Sequence, residues 1–113
     1  MKNFDFDYDS ENDSLFLYLK DEKSAGGIEL GNFILDFNKK GNLIAMQILN
    51  ASKVLSRLLS KFIEITKIKA IEVEIINFRN IEAIKFRISI DKEIETINIL
   101  IPNIKERSPV LTH

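Results

Sequence analysis

Three successive runs in the second half of the chain alternate apolar and polar residues with strict period two. Ile71, Val73 and Ile75 alternate with Glu72 and Glu74; Ile84, Phe86, Ile88 and Ile90 with Lys85, Arg87 and Ser89; Ile97, Ile99 and Ile101 with Thr96 and Asn98. Successive side chains on a strand point to opposite faces, so this pattern predicts three half-buried strands rather than helices. β-branched residues suit such a pleated, one-sided surface. The links between the runs are too short for parallel crossovers, which makes the unit an antiparallel meander. Pro102, which cannot donate to a ladder, ends its last strand.

The first half reads as two hairpins. In residues 4–9 the aromatics Phe4, Phe6 and Tyr8 alternate with Asp5, Asp7 and Asp9, a strand with one wet face. Ser10, Glu11, Asn12 and Asp13 form a polar turn. Leu15, Leu17 and Leu19 then alternate with Phe16 and Tyr18, so this second strand is expected to be covered on both faces. Residues 21–27 read as a loop. A third strand spans 32–38, with Phe33, Leu35 and Phe37 on one face. Asn38 to Asn42 turn the chain, with Gly41 placed for a positive φ, and a fourth strand runs from Leu43 to Leu49.

Between the halves the period changes. Val54, Leu55, Leu58, Leu59 and Phe62 mark one stripe of a helix of about 12 residues. Asn50 is placed to cap it with its side chain. The fold class expected is therefore α+β and mainly antiparallel, with about seven strands: two hairpins, one amphipathic helix, then a three-strand meander. A chain of 113 residues and 13.0 kDa leaves room for one domain. Residues 1–102 are read as that domain, and 103–113, which carry Pro109, as a tail that orders against a partner.

Composition removes several chemistries. There is no Cys, and the single His, His113, is the last residue. Thiolate chemistry, His-based catalysis and His-rich metal sites therefore have no carriers. The formal net charge is -1, which argues against a global electrostatic grip on nucleic acid. No apolar run approaches the roughly 18 residues needed to span a bilayer. The N-terminus is acidic within five residues and lacks the apolar core of a signal peptide, so the expected location is the cytoplasm.

Residues 8–52 carry two separated motifs. The first is Tyr8, Asp9, Asp13, Leu15 and Phe16. The second is Leu35, Asp36, Phe37, Gly41, Ile48, Leu49, Ala51 and Ser52. Together they resemble a family of small prokaryotic proteins, the domain of unknown function numbered 2283. The chain has Ala45, Met46 and Gln47 where that pattern usually has Gly-Ile-Glu, so a role resting on the Glu has no carrier. The resemblance supports the fold and implies no established activity. Members of this kind can sit beside small toxin-like genes, which implies an antitoxin-like role by analogy.

Three groups of polar residues are candidate sites. The acids Asp5, Asp7, Asp9, Glu11 and Asp13 could offer oxygen ligands to a hard cation, but the spacing fails as an EF-hand. From either Asp5 or Asp9, the turn Gly and the terminal Glu are missing. Asp9 and Asp13 are more simply read as accepting turn amides. Asp9 and Asp36 could form an acid and base pair, yet Asp36 alternates with Leu35 and Phe37 and is expected to face solvent. Lys53, Arg57 and Lys61 lie four apart on a separate helix face, with Lys67 and Lys69 beyond, and are read as a weak partner-binding stripe. Ser52 and Ser56 lack a nucleophile elbow and a base. Gly26, Gly27 and Gly31 fit no phosphate loop. No catalytic residue, metal ligand or cofactor site is assigned.

Residues 63–104 contain 15 Ile, more apolar surface than one helix covers. A domain this small buries only about 65% of its unfolded surface alone. The expectation is a non-enzymatic interaction module acting as a homodimer, with a small protein as a further partner and no membrane or nucleic acid. The alternative is a small ligand-binding, cation-binding or enzymatic domain using Asp9, Asp13 and Asp36.

Overall fold

The computed structural model describes residues 2–78 and 81–102, with backbone alone for 77, 78, 81, 82, 101 and 102. The expected tail, 103–113, lies outside the described residues. Among the described residues, eight strands, one α-helix and a single 3-10 turn (Ile65–Lys67, before β6) follow one another as β1 (Lys2–Asp9), β2 (Ser14–Tyr18), β3 (Gly26–Leu30), β4 (Phe33–Phe37), β5 (Leu43–Leu49), α1 (Ala51–Leu59), β6 (Ile68–Phe78), β7 (Ile81–Ile90) and β8 (Glu93–Pro102). All pairs are antiparallel, in the order β3-β4-β5-β2-β1-β6-β7-β8. The α+β class, the single helix and the C-terminal meander are as the periodicities predict.

The eighth strand is β3, of which the sequence reading placed Gly26 and Gly27 in a loop and assigned Ile28, Glu29 and Leu30 to no element. β3 pairs β4 across a two-residue turn at Gly31 and Asn32, with Leu30 opposite Phe33 and Gly31 at φ 60°. Gly27 is tolerated in the strand for a steric reason. A Cβ there would sit 2.8 Å from Asp36 Oδ1 and 2.9 Å from the Leu35 carbonyl oxygen. The expected turn at Gly41 is present, with φ 81°.

β1 changes partner along its length. Lys2, Asn3 and Phe4 pair β6, whereas Asp5 to Asp9 pair β2. The sheet therefore divides into two halves, β1 to β5 and β6 to β8, joined through β1. Their inner faces share one core. Leu15, Leu17, Leu35, Phe37, Met46 and Ile48 come from the first half, and Ile71, Ile84, Phe86, Ile88 and Ile97 from the second. This sharing buries much of the Ile-rich face that the sequence reading left to a second copy. α1 packs against β5 and β8, one strand from each half, and buries Ala51, Val54 and Leu55.

The helix is shorter than its sequence stripe. Ser60 adopts a left-handed conformation, and the amides of Ser60 and Lys61 return to the carbonyls of Arg57 and Ser56. This closing motif ends the helix. Phe62 lies beyond it and is 79% exposed, and Leu58 is 44% exposed. The buried stripe is thus Val54 and Leu55, with Leu59 partly covered. The covering expected on both faces of β2 is also corrected. Leu15 and Leu17 are buried, but Phe16 is 41% exposed and stacks on Tyr18 with ring centroids 5.3 Å apart. No described helix is long and apolar enough to cross a membrane.

Candidate functional site: a clasp at the helix N-terminus

The polar residues of the first motif divide by task. Asp9 closes β1 opposite Ser14 and holds its own turn. Its Oδ1 accepts the amides of Glu11 and Asn12 at 3.1 and 3.3 Å, and its Oδ2 accepts Asn12 Nδ2 at 2.8 Å. These bonds favour the charged form, so the Asn12 side chain and the turn amides hold Asp9 below the usual carboxylate range. That part of the turn reading agrees with the structure.

Asp13 acts elsewhere. It sits in a left-handed conformation, φ 50°, and turns towards the start of α1. Its backbone carbonyl accepts the Ala51 amide at 2.8 Å. Its carboxylate accepts the Ser52 amide at 3.0 and 3.2 Å and the Ser52 hydroxyl at 2.7 Å. Tyr8 OH donates to Asp13 Oδ1 at 2.6 Å. Asp13 therefore caps the helix from another element, supplying acceptors to amides that have no partner within the helix. Asn50, expected to be the cap, occupies the preceding position at φ 53° and makes no side-chain cap bond.

The electrostatics follow from the bonding. Burial alone would push the Asp13 carboxyl up. Hydrogen bonds from Ser52 and Tyr8, and the charge of Lys53, outweigh that and hold it low. The same bond, seen from the phenol, raises Tyr8, because losing its proton would place a second negative charge beside Asp13. Gln47 donates from Nε2 to Ser14 Oγ at 2.9 Å. The motif is thus a clasp that ties the β1–β2 hairpin to β5 and α1.

The candidate carboxylates do not converge. Asp36 pairs Ala45, which pairs Tyr18, whereas Asp9 pairs Ser14, which pairs Leu49. These rows are separated by four residues along β5, about 13 Å, and Asp9 and Asp36 stand three strand spacings apart, each about 4.8 Å. The geometry joins Asp9 and Asp13 through their shared turn and leaves Asp36 at the far end of the sheet, beside Ser24. Among the described residues, no three metal-ligating side chains form a group that could hold an ion. The basic stripe is also divided. Lys53 and Arg57 are exposed, but Lys61 is bound by Glu93, at 3.2 Å, and by Glu95 of β8.

Residues 5–52 match the family model described as "Protein of unknown function (DUF2283)". The match begins where β1 turns from β6 to β2 and ends at Ser52, the residue Asp13 binds. A similar protein is an uncharacterized protein of Methanocaldococcus jannaschii, 42% identical over 48 residues, 42% of this chain and 41% of that protein. Another, from Methanosarcina mazei, carries the name "Putative hypoxanthine phosphoribosyltransferase" and is 43% identical over 47 residues, 42% of this chain and 38% of that protein. The match thus spans less than half of each of these relatives. No solved structure matches the chain.

The clasp gives the two sequence motifs a physical meaning. Leu15, Leu35, Phe37, Ile48 and Ala51 are all buried, and Tyr8, Asp13 and Ser52 form the clasp. Sequence reasoning had each of these residues in hand but missed their convergence. The available signal was the Ala-Ser pair at the start of a helix that has no acidic residue in its first turn. A helix start so placed needs an acceptor from elsewhere.

Proposed function

We propose that the chain is a non-enzymatic interaction module that works as a homodimer. The observation that carries this reading is the edge strand β8. It has a strand neighbour on one side only among the described residues, and it exposes Ile94 (63%) and Leu100 (68%). Exposed apolar residues on a long unpaired edge mark a surface that is covered in use. Of the carboxylates that an enzyme or cation site would need, Asp9 and Asp13 are engaged by internal hydrogen bonds, and Asp36 stands apart from both. Binding of an acidic partner or a nucleic acid by the helix stripe is weakened by the engagement of Lys61 with β8.

Light scattering at tens of micromolar tests the reading. The expected mass is twice the 13.0 kDa of the chain. A monomer mass at that concentration refutes the homodimer. A rise of many degrees in melting temperature with millimolar calcium or magnesium would favour the carboxylate alternative, because a ligand bound by the native state alone stabilises it.

A further inference from the structure

Resting on the homodimer reading, we infer that two copies join edge to edge through β8, antiparallel, about a two-fold axis at Ile97. Among the described residues the sheet has two edges, and they differ. β3 is five residues long and contains Gly26 and Gly27. β8 is ten residues long, and from Glu93 to Ile101 it has no Gly, Pro or Lys, the residues that commonly blunt an edge.

The hairpin before β8 sets the direction of its backbone groups. Asp91, at φ 53°, and Lys92 form a two-residue turn closed by Ile90 and Glu93. In such a hairpin the closing residues are a hydrogen-bonded pair, and the alternation then gives residues 93, 95, 97 and 99 to β7. The N–H and C=O groups of Ile94, Thr96, Asn98 and Leu100 are left for the free edge.

Self-pairing about Ile97 uses all four of those residues. Ile94 then meets Leu100 of the second copy, and Thr96 meets its Asn98. Each is a hydrogen-bonded pair, while Ile97 meets Ile97 between them. The exposed apolar residues cover one another, the polar side chains pair, and Glu95 falls opposite Ile99 rather than another acid. Neighbouring registers lack this match. Centring on Thr96 sets Leu100 against Lys92, and centring on Glu95 sets like charges together, which is unfavourable. α1 packs on β8, and exposed Leu58 on the helix and Phe62 just beyond its end add to the apolar surface of the molecule.

The chain has no Cys, so introduced thiols report the register without background. A Thr96→Cys preparation mixed with an Asn98→Cys preparation and oxidised mildly is expected to give a disulfide-linked heterodimer. Directly opposed Cα atoms lie about 5.5 Å apart, within disulfide reach. Each variant alone is expected to cross-link poorly, because its own thiols are two residues out of register. Leu100→Lys, at an exposed position, is expected to raise the dimer dissociation constant at least about a hundred-fold, since the two-fold axis counts each substitution twice. A dimer that ignores Leu100→Lys and yields no mixed disulfide overturns the β8 pairing and leaves the homodimer standing. A wild-type chain that stays monomeric overturns both. If Leu100→Lys does not fold, the cross-link alone decides, because Thr96 and Asn98 are exposed.

Discussion

Removing the Asp13 carboxylate should loosen the joint between the hairpin and the helix, and the structure sets the size of the effect. Asp13→Ala removes the side-chain cap on the Ser52 amide, about 1 kcal/mol. It also removes a charged acceptor from two hydroxyls, and bonds to charged groups contribute about 1.5–3 kcal/mol each when no water replaces them. The site is only partly buried, so both hydroxyls regain some water. Ala is also less at ease than Asp at φ 50°. The expected total is about 2–3 kcal/mol. Asp13→Asn keeps an acceptor for the Ser52 amide and tolerates the left-handed backbone. It loses the charge at the positive end of the helix, an interaction of about 0.3–1 kcal/mol, and should cost about 1 kcal/mol in all. Tyr8→Phe and the double variant Tyr8→Phe/Asp13→Ala complete a cycle, expected to show a coupling above about 0.5 kcal/mol. Urea unfolding followed by far-UV circular dichroism, at one protein concentration, measures all four. The clasp account is wrong if Asp13→Ala lies within about 0.5 kcal/mol of wild type, or if Tyr8 and Asp13 prove additive. The acid limb gives a second reading. The native Asp13 carboxyl is held below its unfolded value, so its contribution is complete above about pH 4 and is lost as pH falls through the lowered native value. Asp13→Asn should therefore flatten the loss of stability in that window, and an unchanged limb would count against the assignment.

Gly27→Ala should destabilise by about 1–3 kcal/mol, as measured by urea unfolding, because the new methyl meets the Leu35 carbonyl, which cannot move aside as the Asp36 side chain can. Leu55→Ala should cost about 2–5 kcal/mol in the same assay, since Leu55 is buried in the shared core. Leu58→Ala should cost less than about 1 kcal/mol, because the side chain is already 44% exposed. Equal costs at the two leucines would place the helix face wrongly.

Part of the site was legible in the chain. The Asp9 turn follows from an acid placed before a polar four-residue stretch, which is a local interaction. The Gly31–Asn32 turn was equally local and was passed over, because the loop was drawn to Gly27 and the next strand was begun at residue 32. The cap was not legible. Asn50 is the residue type a helix start prefers, and it stands at the right position, yet the acceptor comes from Asp13 across the fold. The stripe from Val54 to Phe62 failed at its end for a similar reason, since the left-handed turn at Ser60 stops the helix before Phe62 can join the core.

By itself the sequence determined the strands of the meander and the change of period at the helix, because these depend on residues that are neighbours along the chain. The tertiary structure alone decided which faces meet. The switch of β1 between β2 and β6 lets the two sheet halves cover one another, so Ile63, Ile65, Ile68, Ile71, Ile84, Ile88 and Ile97, which looked surplus, are buried within one chain. The pairing of β2 with β5 brings Tyr8 and Asp13 to Ser52, 39 residues beyond Asp13, a separation over which no periodicity carries information. Local pattern records which side of a strand is apolar. What that side packs against is set by strand order, and strand order depends on pairings between residues far apart in the chain.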